Sequence, residues 1–160
     1  MKVTAKKQKL HDYLLTLSSS NVWEQAKLEW KHTNITYNDN TQHCHCSQVI
    51  KNVCHITNQL NGNTAEIGND CILEFIGVDC GNTFTGIKRL IADPINAKPN
   101  TDLINISLKL GYIYQSEYDF LMSVKNKRKT SYKQNNWIAK INNRIINKTV
   151  ITKNNNNKGI

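Results

Sequence analysis

Apolar and polar positions alternate in two distinct ways along this chain, and the change between them divides it. Leu10, Tyr13, Leu14 and Leu17 recur at i, i+3, i+4 and i+7, which predicts an amphipathic helix over residues 6–17 that ends at Ser18, Ser19 and Ser20. Asn21 followed by Glu24 reads as a capping box for a second helix over 22–30, with Trp23, Ala26 and Trp30 on one face. From residue 34 the period shortens to that of strands. Residues 34–37 have strand character, Asn38-Asp-Asn40 reads as a turn, and Val49, Val53 and Ile56 mark a strand over 49–57. Asn61-Gly62 is the strongest hairpin signal in the chain, and it returns a strand over 64–67 that stops at Gly68. Asn69 or Asp70 then caps a helix carrying Cys71, Ile72 and Phe75.

Beyond Gly77 the pattern is helical, cut by Pro94, Pro99 and Gly111. Helices are expected over 84–91, over 102–110 with Thr101 or Asn100 as cap, over 117–124 with Ser116 as cap, and from the Ser131-x-x-Gln134 capping box to about residue 147. The 160 residues suit one α+β domain over 1–152, with a hairpin-centred module at 21–77 and a helical part at 83–148. The asparagine-rich stretch 153–160 reads as a disordered tail, and the general abundance of Asn as compositional.

Cysteine placement adds chemistry to this outline. No secretory signal or membrane-length apolar run is present, so a cytoplasmic location is expected and closely spaced cysteines point to metal more than to disulfides. Five cysteines would also leave one thiol unpaired. Cys44-x-Cys46 supplies one edge of a tetrahedral zinc site, while Cys54 on the first hairpin strand and Cys71 at the following helix start supply the other. The helix N-terminus at Cys71 also favours a thiolate. This knuckle, hairpin and helix order follows the logic of a treble clef. His55 adjoins Cys54 but points to the opposite strand face, so only one of the two can reach the metal. Cys80 could substitute for a ligand or lie in the core as a small hydrophobe, and His43 and His45 flank the knuckle without an assigned role.

The stretch Trp23-Glu-Gln-Ala-Lys-Leu-Glu-Trp30, then Cys44-x-Cys46, Val-Ile50, Val-Cys54, Ile56-x-Asn58, Asn61-Gly62, Ile67-Gly68-x-x-Cys71-Ile72 and Phe75, resembles a small zinc-binding domain. That domain occurs in functionally uncharacterised proteins of bacteria, phages and mobile elements. The resemblance covers about a third of the chain and implies Zn²⁺ at Cys44, Cys46, Cys54 and Cys71, without implying an activity. A glycine commonly follows the second cysteine in that family, whereas Ser47 stands here.

Charge is segregated more sharply than the total of +9 suggests. Residues 1–119 carry 11 Lys/Arg and 12 Asp/Glu; residues 120–160 carry 10 Lys/Arg and no acid. Such a basic region is the expected footprint of a polyanion binder. In the last helix Trp137, Ile138, Ile141 and Ile145 share an apolar arc, and Lys133, Lys140, Arg144 and Lys148 a neighbouring one. Lys125, Lys127, Arg128 and Lys129 precede the helix, and Tyr132 or an edge of Trp137 offers a surface for base stacking. Glu66 and Glu74 fall in no zinc-hydrolase pattern, and there is no Gly-rich phosphate loop, nucleophile elbow or acidic cluster for two metals. A non-enzymatic zinc-stabilised nucleic-acid-binding protein of phage or mobile-element type is therefore expected. The alternative is a small adaptor or inhibitor of a host protein such as a nuclease or polymerase.

Overall fold

The computed structural model describes residues 3–151; the tail expected over 153–160 lies outside the described residues. The chain divides into two compact units, Met1–Phe84 and Thr85–Ile160. Both are built from recognisable local signals. The class is α+β; among the described residues every strand lies in the first unit and the second unit is helical.

The first unit opens with α1 (Ala5–Leu17), capped by Thr4 and burying Leu10 and Leu14. A single helical turn, α2 (Trp23–Ala26), and a 3₁₀ turn at Lys27–Glu29 follow, where a helix to residue 30 was expected. The reason lies in tertiary pairing. Trp30 stands opposite Asn58 in the sheet, and the Glu29 carboxylate accepts hydrogen bonds from the Ser19 and Ser20 N–H groups at 2.7 Å and from Asn58 Nδ2 at 2.6 Å. Burial opposes ionisation of Glu29, but Asn58 and the two backbone donors outweigh it and hold the carboxyl below its ordinary range. Asn58 in turn accepts from the N–H groups of Leu60 and Asn61, and the amides of Asn61 and Asn63 both reach Leu17 O at 2.9 Å. Asparagine here ties the end of α1 to the hairpin, so its abundance is partly structural.

Three antiparallel strands, β1 (Trp30–His43), β2 (Val49–Asn58) and β3 (Thr64–Gly68), form the sheet in the order β1-β2-β3. The turn expected at 38–40 is absorbed into a long β1. Tyr37 pairs with Asn52 and Gln42 with Ile50, so residues 38–41 on β1 face a single residue on β2, as in an extended bulge. The Asn61-Gly62 turn closes the β2–β3 hairpin, with Gly62 at φ +77°. α3 (Asn69–Ile76) starts directly after β3 with Gly68 at its N-cap, and Gly77 at φ +71° ends it in the left-handed conformation. Ile35, Ile56, Ile67, Ile72 and Phe75 are buried with the four cysteines Cys44, Cys46, Cys54 and Cys80.

The second unit takes most of α4 (Gly81–Ala92), then α5 (Thr101–Lys109), α6 (Gln115–Val124) and α7 (Tyr132–Ile146). Asn100 caps α5 by accepting from Leu103 N–H at 3.0 Å. The same oxygen lies 2.7 Å from where a Cβ on Gly86 would sit, so α4 passes the cap at glycine distance. Glu117, rather than Ser116, closes the start of α6 by accepting from Tyr114 N–H at 3.0 Å. The Ser131–Gln134 box forms as expected, with reciprocal bonds of 3.2 and 3.0 Å. Leu90, Leu103, Ile104, Ile113, Leu121, Val124, Ile138, Ile141 and Ile145 make one continuous apolar core. Buried Asn142 donates to the carbonyls of Pro94 and Ala97 at 3.0 and 2.7 Å, which fastens the α4–α5 connection to α7.

Candidate metal centres and cationic surface

Two groups of soft donors converge in the first unit. Cys44 and Cys46 sit in the β1–β2 connection, a tight turn closed by Cys44 N–H to Gln48 O and Ser47 N–H to Cys44 O, both 2.8 Å. Ser47 adopts φ +73°, a left-handed value that L side chains disfavour. That geometry explains physically why a glycine suits the position. Cys71, in the first turn of α3, brings its sulfur to 3.7 Å from Cys44 Sγ and 3.3 Å from Cys46 Sγ. The turn is held from outside by α1, where Tyr13 stacks on His45 at 3.4 Å and Lys9 donates to Ser47 Oγ at 3.3 Å.

The second group is His32, Cys54 and Cys80, whose ligand atoms all lie within 4.8 Å of one another, as do those of the first. Both are therefore close enough to hold a metal ion. In a tetrahedral site with Zn–S of about 2.3 Å and Zn–N of about 2.0–2.1 Å, two sulfurs stand about 3.8 Å apart and a sulfur and a nitrogen about 3.6 Å apart. The Cys44–Cys71 and Cys80–His32 Nε2 separations are 3.7 and 3.6 Å. In each group a thiol pair shares protons unequally. Cys71 draws Cys44 down to about 5 and is itself pushed up, while Cys54 draws Cys80 down to about 5, with His32 assisting, and is pushed up in turn.

Three of the four cysteines expected at one site thus come together, and Cys54 stands in the other group. The β1–β2 register accounts for this. His32 pairs with Ile56, two residues along β2 from Cys54, so the His32 and Cys54 side chains share a sheet face. His55 points the other way, bonding Thr36 Oγ1 at 2.7 Å and facing Glu66 at 3.5 Å, and belongs to neither group. His43 is exposed. Cys80, open at the sequence level between ligand and core residue, is buried within the second group, and His32 carries no sequence signal at all. Only the pairing of β1 with β2 reveals it.

Cys46 and Cys71 also wall a cleft of about 180 Å³ with His11, Asp70 and Glu74. The Glu74 carboxylate there is paired with Lys7. His11 stacks on Trp23, and burial lowers its imidazole below the ordinary range.

In the second unit the expected cationic residues separate into two kinds. Lys127, Arg128, Lys129, Lys133 and Lys140 have exposed side chains on the α6–α7 loop and the outer face of α7, and Lys148 is exposed just beyond that helix. Lys125 is half-buried. Arg144 is turned inward, pairing with the buried carboxylate of Glu117 and lying over the Tyr114 ring at 5.7 Å. Its charge is therefore committed within the unit. Trp137 stacks on Phe120 at 4.1 Å while 40% of its surface stays exposed, and Tyr132 is 79% exposed.

No helix among the described residues is long and apolar enough to cross a membrane. No protein-family model, curated protein or solved structure matches the chain.

Proposed function

We propose that this chain is a non-enzymatic, zinc-stabilised protein that binds nucleic acid through its helical unit. In this reading Cys44, Cys46 and Cys71 hold a structural zinc ion in a treble-clef-like arrangement; the resemblance noted for residues 23–75 implies zinc at these three together with Cys54. Three thiolates are a soft donor set suited to Zn²⁺. The observation that carries the nucleic-acid reading is the exposed run Lys127, Arg128, Lys129, Lys133 and Lys140, in a stretch from residue 120 onward that contains no acid. Those charges stand beside two exposed aromatic faces, Tyr132 and Trp137, which suit stacking on unpaired bases. Binding of this kind is led by the phosphate backbone and weakens steeply with salt.

Fluorescence anisotropy with labelled single-stranded and duplex DNA and RNA tests this. Saturable binding at 50 mM salt is expected, roughly, with a log–log salt slope that falls by about 0.7–0.9 for each phosphate contact removed. Replacing Lys127, Arg128, Lys129, Lys133 and Lys140 together by glutamine should abolish it, while Arg144→Gln should act through stability instead. Absence of binding at low salt, or binding unchanged in the five-site variant, would sink the proposal. Recovery of one stoichiometric protein after nuclease treatment would favour the adaptor reading in its place.

A further inference from the structure

The resemblance and the sequence spacing both assign one metal ion, yet the donors form two groups. His32, Cys54 and Cys80 come from β1, β2 and the loop before α4, and nothing in the sequence spacing links them. The loop is positioned in detail. Gly77 stops α3 in a left-handed turn, and Asp79 Oδ1 then accepts from Gly81 N–H at 2.8 Å and from Asn69 Nδ2 at 3.4 Å. Asn69 Oδ1 accepts from the N–H of Cys80 itself at 2.9 Å. The first residue of the helix that carries Cys71 thus also fixes Cys80.

Two buried cysteines can serve as small hydrophobes, but such a role needs no imidazole nitrogen among them. Here Cys54 and Cys80 are 0% and 3% exposed, and His32 Nε2 stands one tetrahedral edge from Cys80 Sγ. A divalent ion bound by two thiolates and a neutral imidazole gives a neutral assembly.

We propose that His32, Cys54 and Cys80 hold a second zinc ion, distinct from the one at Cys44, Cys46 and Cys71. These residues supply three of the four positions of a tetrahedral site, and water takes the fourth. Both ions pin α3 and its flanking loop to the sheet, the first through Cys71 and the second through Cys80, so the module is stapled at both ends of one helix.

Elemental analysis and native mass spectrometry of the full chain loaded with zinc and freed of excess give the test. The wild type should carry two zinc ions. Cys80→Ser and His32→Ala should each carry one, Cys46→Ser should retain the ion of the second group, and His32→Cys should recover two. If a variant fails to fold, cobalt titration of the wild type still decides. Saturation at two equivalents supports the proposal; saturation at one supports a single four-cysteine site that includes Cys54, and overturns it. Two ions whose number is unchanged by His32→Ala and Cys80→Ser would overturn it as well, as would a two-proton mass deficit that marks a Cys54–Cys80 disulfide. Nucleic-acid affinity does not enter this readout, so either proposal can fail without the other.

Discussion

The two units hold themselves together by different means. All five cysteines lie in Met1–Phe84, four of them buried, whereas Thr85–Ile160 contains none and buries a continuous set of Leu, Ile and Val side chains. Units of about 80 residues are near the size at which an apolar core alone becomes marginal. The helical unit meets that limit with side chains contributed by four helices. The strand unit has a three-stranded sheet, short helices and a polar Glu29–Asn58 cluster, and directs sulfur and nitrogen donors into the space that further apolar groups would fill. The charge follows the same division. Residues 1–84 hold 7 Lys/Arg and 8 Asp/Glu, and residues 85–160 hold 14 and 4, so the unit that does not depend on donors is the one free to present a charged surface.

On the proposed zinc sites, metal removal should separate the units most strongly. Structural zinc contributes on the order of 10 kcal/mol to the folding of small modules. A strong chelator should therefore release the amide hydrogens of β1–β3 and α3 while those of α5–α7 stay protected. Hydrogen exchange read by mass spectrometry distinguishes the two, and simultaneous loss of protection in both units would break the comparison.

A core truncation should do the reverse. Ile141 is fully buried in the helical core, and Ile141→Ala should cost about 2–5 kcal/mol in urea unfolding with zinc content unchanged. Loss of metal in that variant would show that the units do not keep separate stabilities.

The smallest effect sharpens the account of the β1–β2 turn. Ser47→Gly relieves a left-handed residue at φ +73° and should raise the stability of the metal-bound form by about 1 kcal/mol, measured as a shift in the thermal midpoint. A decrease would mean that the contact of Ser47 Oγ with Lys9 outweighs backbone strain.

Much of this architecture is legible in local patterns. The period of Leu10, Leu14 and Leu17 locates α1, Asn61-Gly62 locates the hairpin, and Asn100 and the Ser131–Gln134 box locate the starts of α5 and α7, because caps and turns are settled within a few residues of chain. The near pair Cys44 and Cys46 and the helix-start position of Cys71 are legible for a related reason, since a tight turn closed between Cys44 and Gln48 and a helix start define them. Contacts across elements are not legible in this way. Trp30 becomes a strand residue by pairing with Asn58, Arg144 turns inward to a carboxylate 27 positions away, and Cys54 meets His32 and Cys80 rather than the other cysteines. Each outcome depends on strand register, a bulge or a loop closure that competes over the whole unit. Sequence alone thus determined where the elements lie and which thiols were available; tertiary pairing decided which partners each donor and each charge would meet.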